Sequence, residues 1–247
     1  MNGQTILAKV IETYSSFETY SDIGTVESPD SSGISLEFQS DFRRPFCFRF
    51  HWLSLPSQLG KKMTAQETTI WSDGEHFTSR FQGELAETES FSLLVAGATG
   101  ISKGSVHVIL NLLIPNAIGL YHPWPEMTDV KRLDDQDNCY QIIGTSRGVD
   151  DTRVWIEKET YVVRRLKESN VVTEQKCEEM RAYSQQPEQV EMMVNALKKQ
   201  GISEDMIAAT INGLDTMFKP TTYVSDYRYN SVTVNHSLAK SVFVPSA

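Results

Sequence analysis

The chain has 247 residues, of which 40% are hydrophobic and 22% are charged, and its formal net charge is −9 with a pI near 5.1. These values fit a globular protein with a sizeable core, built as one large domain or two small ones. The acidic balance argues against nucleic acid or an anionic membrane surface as a partner. The longest apolar run, residues 106–118, contains Asn and Pro and is shorter than the roughly 18–20 residues that span a bilayer. We therefore expect a chain that is not transmembrane.

The N-terminus and the cysteines bear on compartment and redox state. Residues 1–4 lack a basic segment followed by an apolar core, so the sequence as given predicts no signal peptide. Either the protein is cytoplasmic or the numbering starts after a removed signal. The three cysteines are odd in number and widely spaced, which predicts neither a disulfide framework nor a zinc site. Cys47, Cys139 and Cys177 are expected to be free thiols, buried or partly buried.

The first half of the chain begins with a helix and continues mainly as strands. Apolar residues recur at helical spacing from residue 4 to residue 19 and predict an amphipathic helix. Asp73-Gly74 predicts a β-hairpin, because this dipeptide tolerates the positive φ of a tight turn. The other predictions for this half are a strand from Tyr20, a turn at 27–33, a strand from Ile34, a loop at 56–62, and helices at 84–96 and 103–114 with Ser102 as N-cap.

The second half is predicted to be rich in strands and to contain one helical insertion. Pro187 begins a helical pattern that pauses at Gly201, resumes after Ser203 and stops at Pro220, which predicts a helical hairpin at 187–218. Strands are predicted at 139–143, 154–156, 161–166, 171–183, 223–229 and 231–244. The layout predicts a single α+β domain over residues 1–247, with the hairpin inserted before the last strands.

The stretch from Phe42 to Trp52 carries most of the functional information. Successive side chains of a strand point to opposite faces, and alternation here predicts a half-buried antiparallel strand. The even positions are Phe42, Arg44, Phe46, Phe48, Phe50 and Trp52. Five rings of roughly 150–250 Å² each need a large apolar surface opposite them, either packed protein or a cavity for an apolar guest. Since aromatic stripes are more often core, the residues alone favour the filled core and leave the cavity open as an alternative.

Arg44 is the exception on the aromatic face. A guanidinium group in an apolar surface is costly unless its donors are satisfied. Either Pro45 marks a bulge that turns Arg44 outward, or Arg44 reaches across to form hydrogen bonds.

The sequence contains no arrangement that specifies a catalytic centre, a metal site or a cofactor site. The five histidines are scattered, and no pair stands at i, i+4 on a predicted helix. The loop at 97–105 is rich in glycine, but it lacks the Lys-Ser/Thr spacing of a phosphate-binding loop. The acidic runs at 134–137 and 150–151 lack the spacing of a calcium loop and are interpreted as solvated turns. We expect a protein that is not an enzyme and needs no metal or cofactor.

Four motifs follow one another in a defined order. They are Tyr-Ser-Ser-Phe-Glu-Thr-Tyr at 14–20, Phe-Arg-Arg-Pro-Phe-Cys-Phe-Arg-Phe at 42–50, Ile-Trp-Ser-Asp-Gly at 70–74 and Trp-Ile-Glu-Lys-Glu-Thr-Tyr-Val-Val-Arg-Arg at 155–165. In this order they resemble the LolA/LolB-type bacterial lipoprotein carriers and their uncharacterised relatives. The chain is longer than those carriers, and its 187–218 hairpin has no counterpart that we can assign.

The resemblance implies a fold and a compartment. The family has an incomplete, half-open, curved antiparallel β-barrel that wraps helices, and its hydrophobic concave face holds lipoprotein acyl chains in the periplasm. It therefore implies a periplasmic or cell-envelope location, although the absence of a visible signal peptide leaves the cytoplasm as the alternative. The family's arginine before a proline helps to hold helices over the cavity mouth, and the matching residue here is Arg44. Fold transfers through such a resemblance more safely than function does.

The first functional hypothesis is a non-enzymatic carrier or binding protein for a lipid, a lipoprotein acyl chain or another hydrophobic ligand, held on the concave face of the sheet. Arg44 would anchor a helix or a ligand head group. The residues expected to bind the ligand are Phe42, Arg44, Phe46, Phe48, Phe50, Trp52, Trp71 and Phe77.

The alternative hypothesis is a bacterial envelope module with a filled core and no ligand, which would dock a protein partner through the 187–218 hairpin. Met192, Met193, Met206 and Met217 would then form an adaptable contact surface. An enzyme that uses Asp41, Arg49 and His51 is the least favoured hypothesis, because Asp41 and His51 are far apart along one strand.

Overall fold

A computed structural model describes residues 1–27, 35–54, 66–115, 124–199 and 203–245. The chain divides into two compact units, Met1–Ser169 with Val224–Ala247 and Asn170–Tyr223. The organisation as a single domain stays a prediction. No helix within the described ranges is long and apolar enough to cross a membrane.

The first unit contains three helices and most of one large sheet. Its helices are α1 (Gly3–Ser15), α2 (Phe91–Ile101) and α3 (Ser105–Leu113), with short 3-10 helices at Trp124–Glu126 and Lys240–Phe243. The strands are β1 (Thr19–Glu27), β2 (Ser35–Arg43), β3 (Cys47–Ser54), β4 (Gln66–Ser72), β5 (Phe77–Phe81), β6 (Glu84–Thr88), β7 (Thr128–Gln136), β8 (Cys139–Ser146), β9 (Val149–Glu157), β10 (Val163–Val172) and β11 (Thr221–Val234).

The sheet is antiparallel, curved and open. Over the described residues it has eleven strands in the order β6-β5-β4-β3-β2-β1-β11-β10-β9-β8-β7. Sequential strands pair as hairpins in both arms, and the pairing of β1 with β11 joins the two ends of the chain. Because β6 and β7 form the two edges, the sheet does not close. The predicted fold class, a half-open antiparallel barrel that wraps helices, is therefore confirmed.

One face of the sheet, called the inner face below, carries the helices of the first unit. The ring of Tyr14 on α1 lies 5.6 Å from the ring of Tyr20 on β1, and Phe91 on α2 lies 6.0 Å from Phe48 on β3. The core lies between these helices and the sheet, where large apolar side chains are almost fully buried. The opposite face is called the outer face.

The prediction of one strand from Phe42 to Trp52 is wrong, because residues 44–46 form the turn between β2 and β3. Phe42 pairs with Phe48, so the even positions on either side of the turn still share the inner face. Phe46 lies in the turn itself and is 42% exposed. It does not belong to the aromatic face on which the alternation placed it.

Several other sequence predictions are corrected. The strand predicted at 231–244 ends at Val234 and is followed by the 3-10 helix Lys240–Phe243. The acidic runs interpreted as solvated turns lie mostly in β7 and β9. Residues 84–88 form edge strand β6 instead of the start of a helix. Ser102 ends α2, and Gly104 is the N-cap of α3. The strand predicted at 171–183 is the end of β10 followed by α4 (Glu174–Ser184). Strand β7 was not predicted, and the predicted turn at 27–33 (apart from Glu27) and loop at 56–62 lie outside the described residues.

The second unit is helical. It contains α4 and the predicted helical hairpin, formed by α5 (Pro187–Lys199) and α6 (Glu204–Met217). The Arg181 guanidinium of α4 donates to the carbonyl of Phe218 at 2.6 Å, which connects α4 to the residue that follows α6. Cys177 and Ile207 are buried in this unit.

Candidate ligand-binding groove

The strand registers place the predicted aromatic residues in rows across the inner face. Cross-strand neighbours in an antiparallel sheet lie on the same face, with Cβ atoms about 5 Å apart. Three rows run from β3 across β4 to β5: Trp52, Thr68 and Phe81; Phe50, Ile70 and Ser79; and Phe48, Ser72 and Phe77. The helices α2 and α3 cover different parts of this array.

Under the helices the array is packed core. Phe42, Phe48 and Phe50 have at most 1% of their surface exposed, and the rings of Phe48 and Phe50 stack at 6.3 Å. Phe77 is partly buried and contacts Phe91 of α2 at 6.1 Å. These predicted ligand-binding residues therefore contact side chains of the protein in this structure.

Trp71 lies on the other face of the sheet. It pairs with Arg49, whose side chain points away from the aromatic rows, and the guanidinium of Arg80 lies 5.4 Å from its ring centroid. The expectation that Trp71 lines the same surface as Phe48 is therefore corrected. The error arose because Trp71 and Phe77 lie on either side of the Asp73-Gly74 turn and were assigned to one face. In the register of the sheet, Phe77 is in the row of Phe48, whereas Trp71 is in the row of Arg49.

Beside Trp52 the array is not filled. A groove of about 220 Å³ lies between α2 and strands β3 to β6. It is lined by Trp52, Thr68, Ile70, Ser79, Phe81, Thr88, Leu93, Leu94, Gly97, Ala98 and Ile101. None of these lining side chains is charged, so the groove offers apolar surface with three hydroxyl groups.

One side of α2 forms the length of the groove. Leu93, Gly97 and Ile101 are four residues apart and therefore follow one side of the helix. At 1.5 Å per residue, the distance from Leu93 to Ile101 is about 12 Å. Leu93 is 56% exposed and Ile101 is 46% exposed. Together with Phe81, which is 41% exposed, they leave the groove open to solvent.

Gly97 lines the groove midway between Leu93 and Ile101 and has no side chain to occupy it. A Cβ atom added at Gly97 would have no heavy atom within 4 Å, and the helix backbone there suits any L residue. Gly100 on the same helix is equally open but does not line the groove. Sequence reasoning treated this segment as a loop and a helix and did not single out Gly97.

Arg44 holds the C-terminal end of α1. Its Nε donates to the carbonyl of Phe17 at 2.9 Å, and one Nη donates to the carbonyls of Ser15 at 2.7 Å and Tyr14 at 3.3 Å. The last carbonyls of a helix have no partner within the helix and form its negative end, so a cation there is favourable. Of the two alternatives for Arg44, the structure shows the residue in a turn, with hydrogen bonds that reach across to a helix.

Asp41 and Arg49 of the enzyme hypothesis are paired across β2 and β3, whereas His51 has other partners. Asp41 accepts from Arg49 at 2.9 Å and from the Ser21 hydroxyl at 2.6 Å on the outer face. His51 instead contacts the Thr69 hydroxyl at 2.9 Å, and burial lowers the pKa of its imidazole. Within the described residues, no three His, Cys, Asp or Glu side chains are grouped closely enough to hold a metal ion.

A buried carboxyl group on the inner face was missed by sequence reasoning. Asp22 is 2% exposed, and burial raises its pKa to about 7 despite hydrogen bonds from Ser40 and Tyr20. The signal was present in the sequence, because Asp22 alternates with Tyr20, Gly24 and Val26 and therefore shares their face.

No family model matches the chain, and no curated protein matches it. Solved structures with a similar arrangement include the Pseudomonas aeruginosa MucA/MucB complex, at 9% identity and a TM-score of 0.42 over 99% of this chain and 61% of the matched one. The chain thus spans less than two thirds of that protein. A DUF1329 family protein from Desulfovibrio piger matches at 9% identity and a TM-score of 0.36, over 98% of this chain and 95% of its own.

A LolA superfamily protein from Nitrosomonas europaea matches at 12% identity and a TM-score of 0.35, over 99% of this chain and 98% of its own. The description of this last structure names the superfamily that the sequence motifs resemble.

Proposed function

We propose that the protein is a non-enzymatic binding protein that holds one apolar chain in the groove along α2. The observation that carries this proposal is the uncharged lining of an open groove of about 220 Å³ beside Trp52. A groove of this kind offers shape and apolar surface to a ligand but no group suited to chemistry.

The size of the groove restricts the ligand. An apolar cavity of about 150 Å³ accepts benzene, whereas drug-sized ligands occupy about 300–1,000 Å³. A volume of about 220 Å³ along some 12 Å of helix therefore suits one elongated apolar molecule, such as a single acyl chain or a small aromatic probe, better than a larger ligand. Burial gains about 0.8 kcal/mol per methylene, so roughly ten methylenes give the gross free energy of a micromolar Kd before ordering costs.

The ligand-binding surface in this proposal is smaller than the sequence suggested. Trp52 lines the groove, whereas Phe42, Phe48, Phe50 and Phe77 support it from the packed part of the inner face. Arg44 forms hydrogen bonds at the end of α1 and would not contact the bound ligand. Phe46 and Trp71 lie elsewhere and are left out of the proposed site.

A fluorescence titration tests the proposal. The neutral probe N-phenyl-1-naphthylamine should gain fluorescence with the wild-type protein, and a long-chain alcohol should displace it. Leu93→Lys, which places a charge at the rim of the groove, should weaken probe binding, whereas Ile23→Lys at an exposed position on the outer face of β1 should not. No saturable fluorescence gain with any neutral apolar probe would refute the proposal.

The nature of the natural ligand follows from the sequence resemblance and forms part of the proposal. Lipid or lipoprotein acyl chains of a bacterial envelope are the first ligands to test. Mass spectrometry of molecules that co-purify with the protein from its own host would identify them, and the N-terminal residue of the protein made there would show whether a signal peptide is removed.

A second candidate function is docking of a protein partner through the second unit. Val190, Met193, Val194 and Leu197 follow one side of α5 and are only half-buried. Met192 and Met206 are 61% and 60% exposed, and methionine adapts well to varied partners. The side chain of Met217 lies outside the described residues. Loss of a co-purifying protein on deletion of residues 187–218, with probe binding retained, would favour this second function.

A further inference from the structure

Asp22 lies directly beneath α3. A crevice between the helix and the sheet is lined by Asp22, Ser40, Phe48 and Tyr229 from the sheet and by Ser105, Val106, Ile109, Leu110 and Leu113 from α3. The crevice has no space for a water-sized molecule, so α3 packs on the carboxyl group without solvent between them. An apolar helix surface thus covers an ionisable group.

The surroundings of Asp22 stabilise its neutral form. Tyr20 donates its hydroxyl to Oδ2 at 2.8 Å, and the Ser40 backbone N–H donates to Oδ1 at 3.0 Å. Burial outweighs these hydrogen bonds and raises the pKa of Asp22 to about 7, and the nearby carboxylate of Asp41 raises it further.

Among the described groups that act on the pKa of Asp22, none is a cation. The titratable groups that face Asp22 are Tyr20 on β1, Asp41 on β2, Tyr14 on α1 and Tyr229 on β11. Among the residues that line the crevice from α3, none is titratable. The His107 imidazole of that helix instead contacts the hydroxyl of Thr99 on α2.

A second polar group beneath α3 is also poorly satisfied. Tyr229 lines the crevice, and its buried hydroxyl has no hydrogen-bond partner among the described residues. A buried polar group without a partner costs about 1–3 kcal/mol, and water would satisfy it if α3 moved away. The position of α3 packed against the sheet, called the seated position below, therefore depends on the apolar contacts of the helix and on a neutral Asp22.

Movement of α3 would be transmitted to the groove. The turn Ser102–Gly104 joins α3 to α2, and the Gly104 backbone N–H donates to the carbonyl of Thr99 at 2.8 Å. The Thr99 hydroxyl also contacts Nε2 of His107 at 2.5 Å. Because α2 forms one wall of the groove, displacement of the pair α2–α3 would open it.

We propose that Asp22 is a protonation-dependent seat for the helix pair α2–α3: its neutral form holds the pair on the inner face, and its ionisation releases the pair and opens the groove. The consequence for ligand release rests on the proposed function, whereas the movement of the helices does not.

The direction follows from proton linkage. In the seated state the pKa of Asp22 is about 7, and in the released state water returns it towards its ordinary value of 3.8. Between these values the seated state binds more protons, so seating is strongest at acid pH, weakens as pH rises and levels off above about pH 7. With these two values, the released-to-seated ratio increases about thirtyfold from about pH 5.5 to about pH 8.5.

Hydrogen exchange and probe release test the proposal on the full chain. Exchange of the α3 amides, corrected for the intrinsic effect of pH and referenced to β8, would be measured for the wild type, Asp22→Asn and the control Glu37→Gln at an exposed outer-face position of β2. Asparagine carries no charge: its Oδ1 can accept from the Ser40 backbone N–H, and its Nδ2 can donate to the Tyr20 hydroxyl oxygen in place of the hydrogen bond that Asp22 accepts. Dissociation of N-phenyl-1-naphthylamine would be followed under the same conditions.

We expect α3 protection to fall about thirtyfold over this pH range in the wild type, to fall similarly in Glu37→Gln and to stay constant in Asp22→Asn. Probe dissociation should follow the same pattern. Constant protection in the wild type, or the same fall in Asp22→Asn, would overturn the proposal. If α3 protection follows the expected pattern but the probe binds at no pH, the seat is supported and the proposed function fails.

Discussion

The ring of Phe38 lies across the backbone of Gly24, so that a Cβ atom at position 24 would be only 2.4 Å from the ring's Cζ. The two residues are direct partners in β1 and β2. The absence of a side chain lets the ring reach Tyr229 on β11, where the two ring centroids are 5.6 Å apart at 74°. Close packing at this position connects three strands beneath the helices.

Gly24→Ala should therefore destabilise the protein. The new methyl group would also lie 2.4 Å from the carbonyl oxygen of Arg228, and backbone cannot move aside as a flexible side chain can. Overpacking of this kind typically costs about 1–3 kcal/mol in the free energy of unfolding. Urea denaturation would measure it, with Gly97→Ala as the control, which should gain up to about 1 kcal/mol. Equal stability of Gly24→Ala and wild type would contradict the packing described here.

Loss of Arg44 should loosen the end of α1. Arg44→Met removes hydrogen bonds to the carbonyls of Ser15 and Phe17 and leaves them without this partner. We expect a loss of about 1–3 kcal/mol in the free energy of unfolding, together with faster amide exchange in the last turn of α1. Arg44→Lys keeps the charge near the helix end and should lose less. A normal exchange rate in α1 of Arg44→Met would show that the arginine is not needed to hold this helix.

The free energy of unfolding should depend on pH through the raised pKa of Asp22. The raised pKa means that the folded state binds more protons than the unfolded state between about pH 4 and about pH 7. The stability gained by Asp22→Asn should thus be small at about pH 4, increase to roughly 4 kcal/mol at most near pH 7 and then stay constant. Urea denaturation of both proteins across this range measures the difference. A difference that does not change with pH would show that Asp22 is not buried as described.

Removal of the Tyr229 hydroxyl should be tolerated. Tyr229→Phe keeps the ring contact with Phe38 and removes a buried hydroxyl for which the described part of the chain offers no hydrogen-bond partner. We expect unchanged or higher stability, by up to about 1 kcal/mol. Tyr20→Phe is the matched comparison, because it removes the hydroxyl that donates to Asp22 and should destabilise. Thermal denaturation of the two variants would show whether their effects differ in sign.

The sequence predicted which aromatic residues share the inner face better than it predicted the turns that connect the strands. Phe42 and Phe48 were placed on one face through alternation, and they do share it, but as partners across a hairpin. Alternation alone cannot detect a turn here, because the turn preserves the parity of the flanking strands. Phe46 was misplaced for the same reason, since it keeps the parity while its side chain lies in the turn.

The wrong predictions for β6 and α4 have local causes in the sequence. Gln82 and Gly83 both have positive φ, as a two-residue hairpin turn requires, and they connect β5 to β6. Glutamine is an uncommon residue for such a turn, so a helix was predicted instead. In α4, Thr173 caps the helix by accepting from the Lys176 backbone N–H. This helix is mostly polar, so its apolar period is weak.

The groove itself could not be derived from the sequence. Its walls come from α2 and four strands, and the volume between them depends on packing distances that no local pattern encodes. Gly97 illustrates this, because the open space beside it exists only once α2 lies along the sheet.

Binding of N-phenyl-1-naphthylamine to Gly97→Leu and Gly100→Leu tests the central claim most directly. Both substitutions replace a helical glycine that has open space around it, and both should raise helix stability by roughly 1 kcal/mol, but only Gly97 lines the groove. We predict that Gly97→Leu fills the groove and loses probe binding while remaining folded, and that Gly100→Leu binds as the wild type does. Equal binding by both variants would show that the apolar ligand does not occupy the groove along α2.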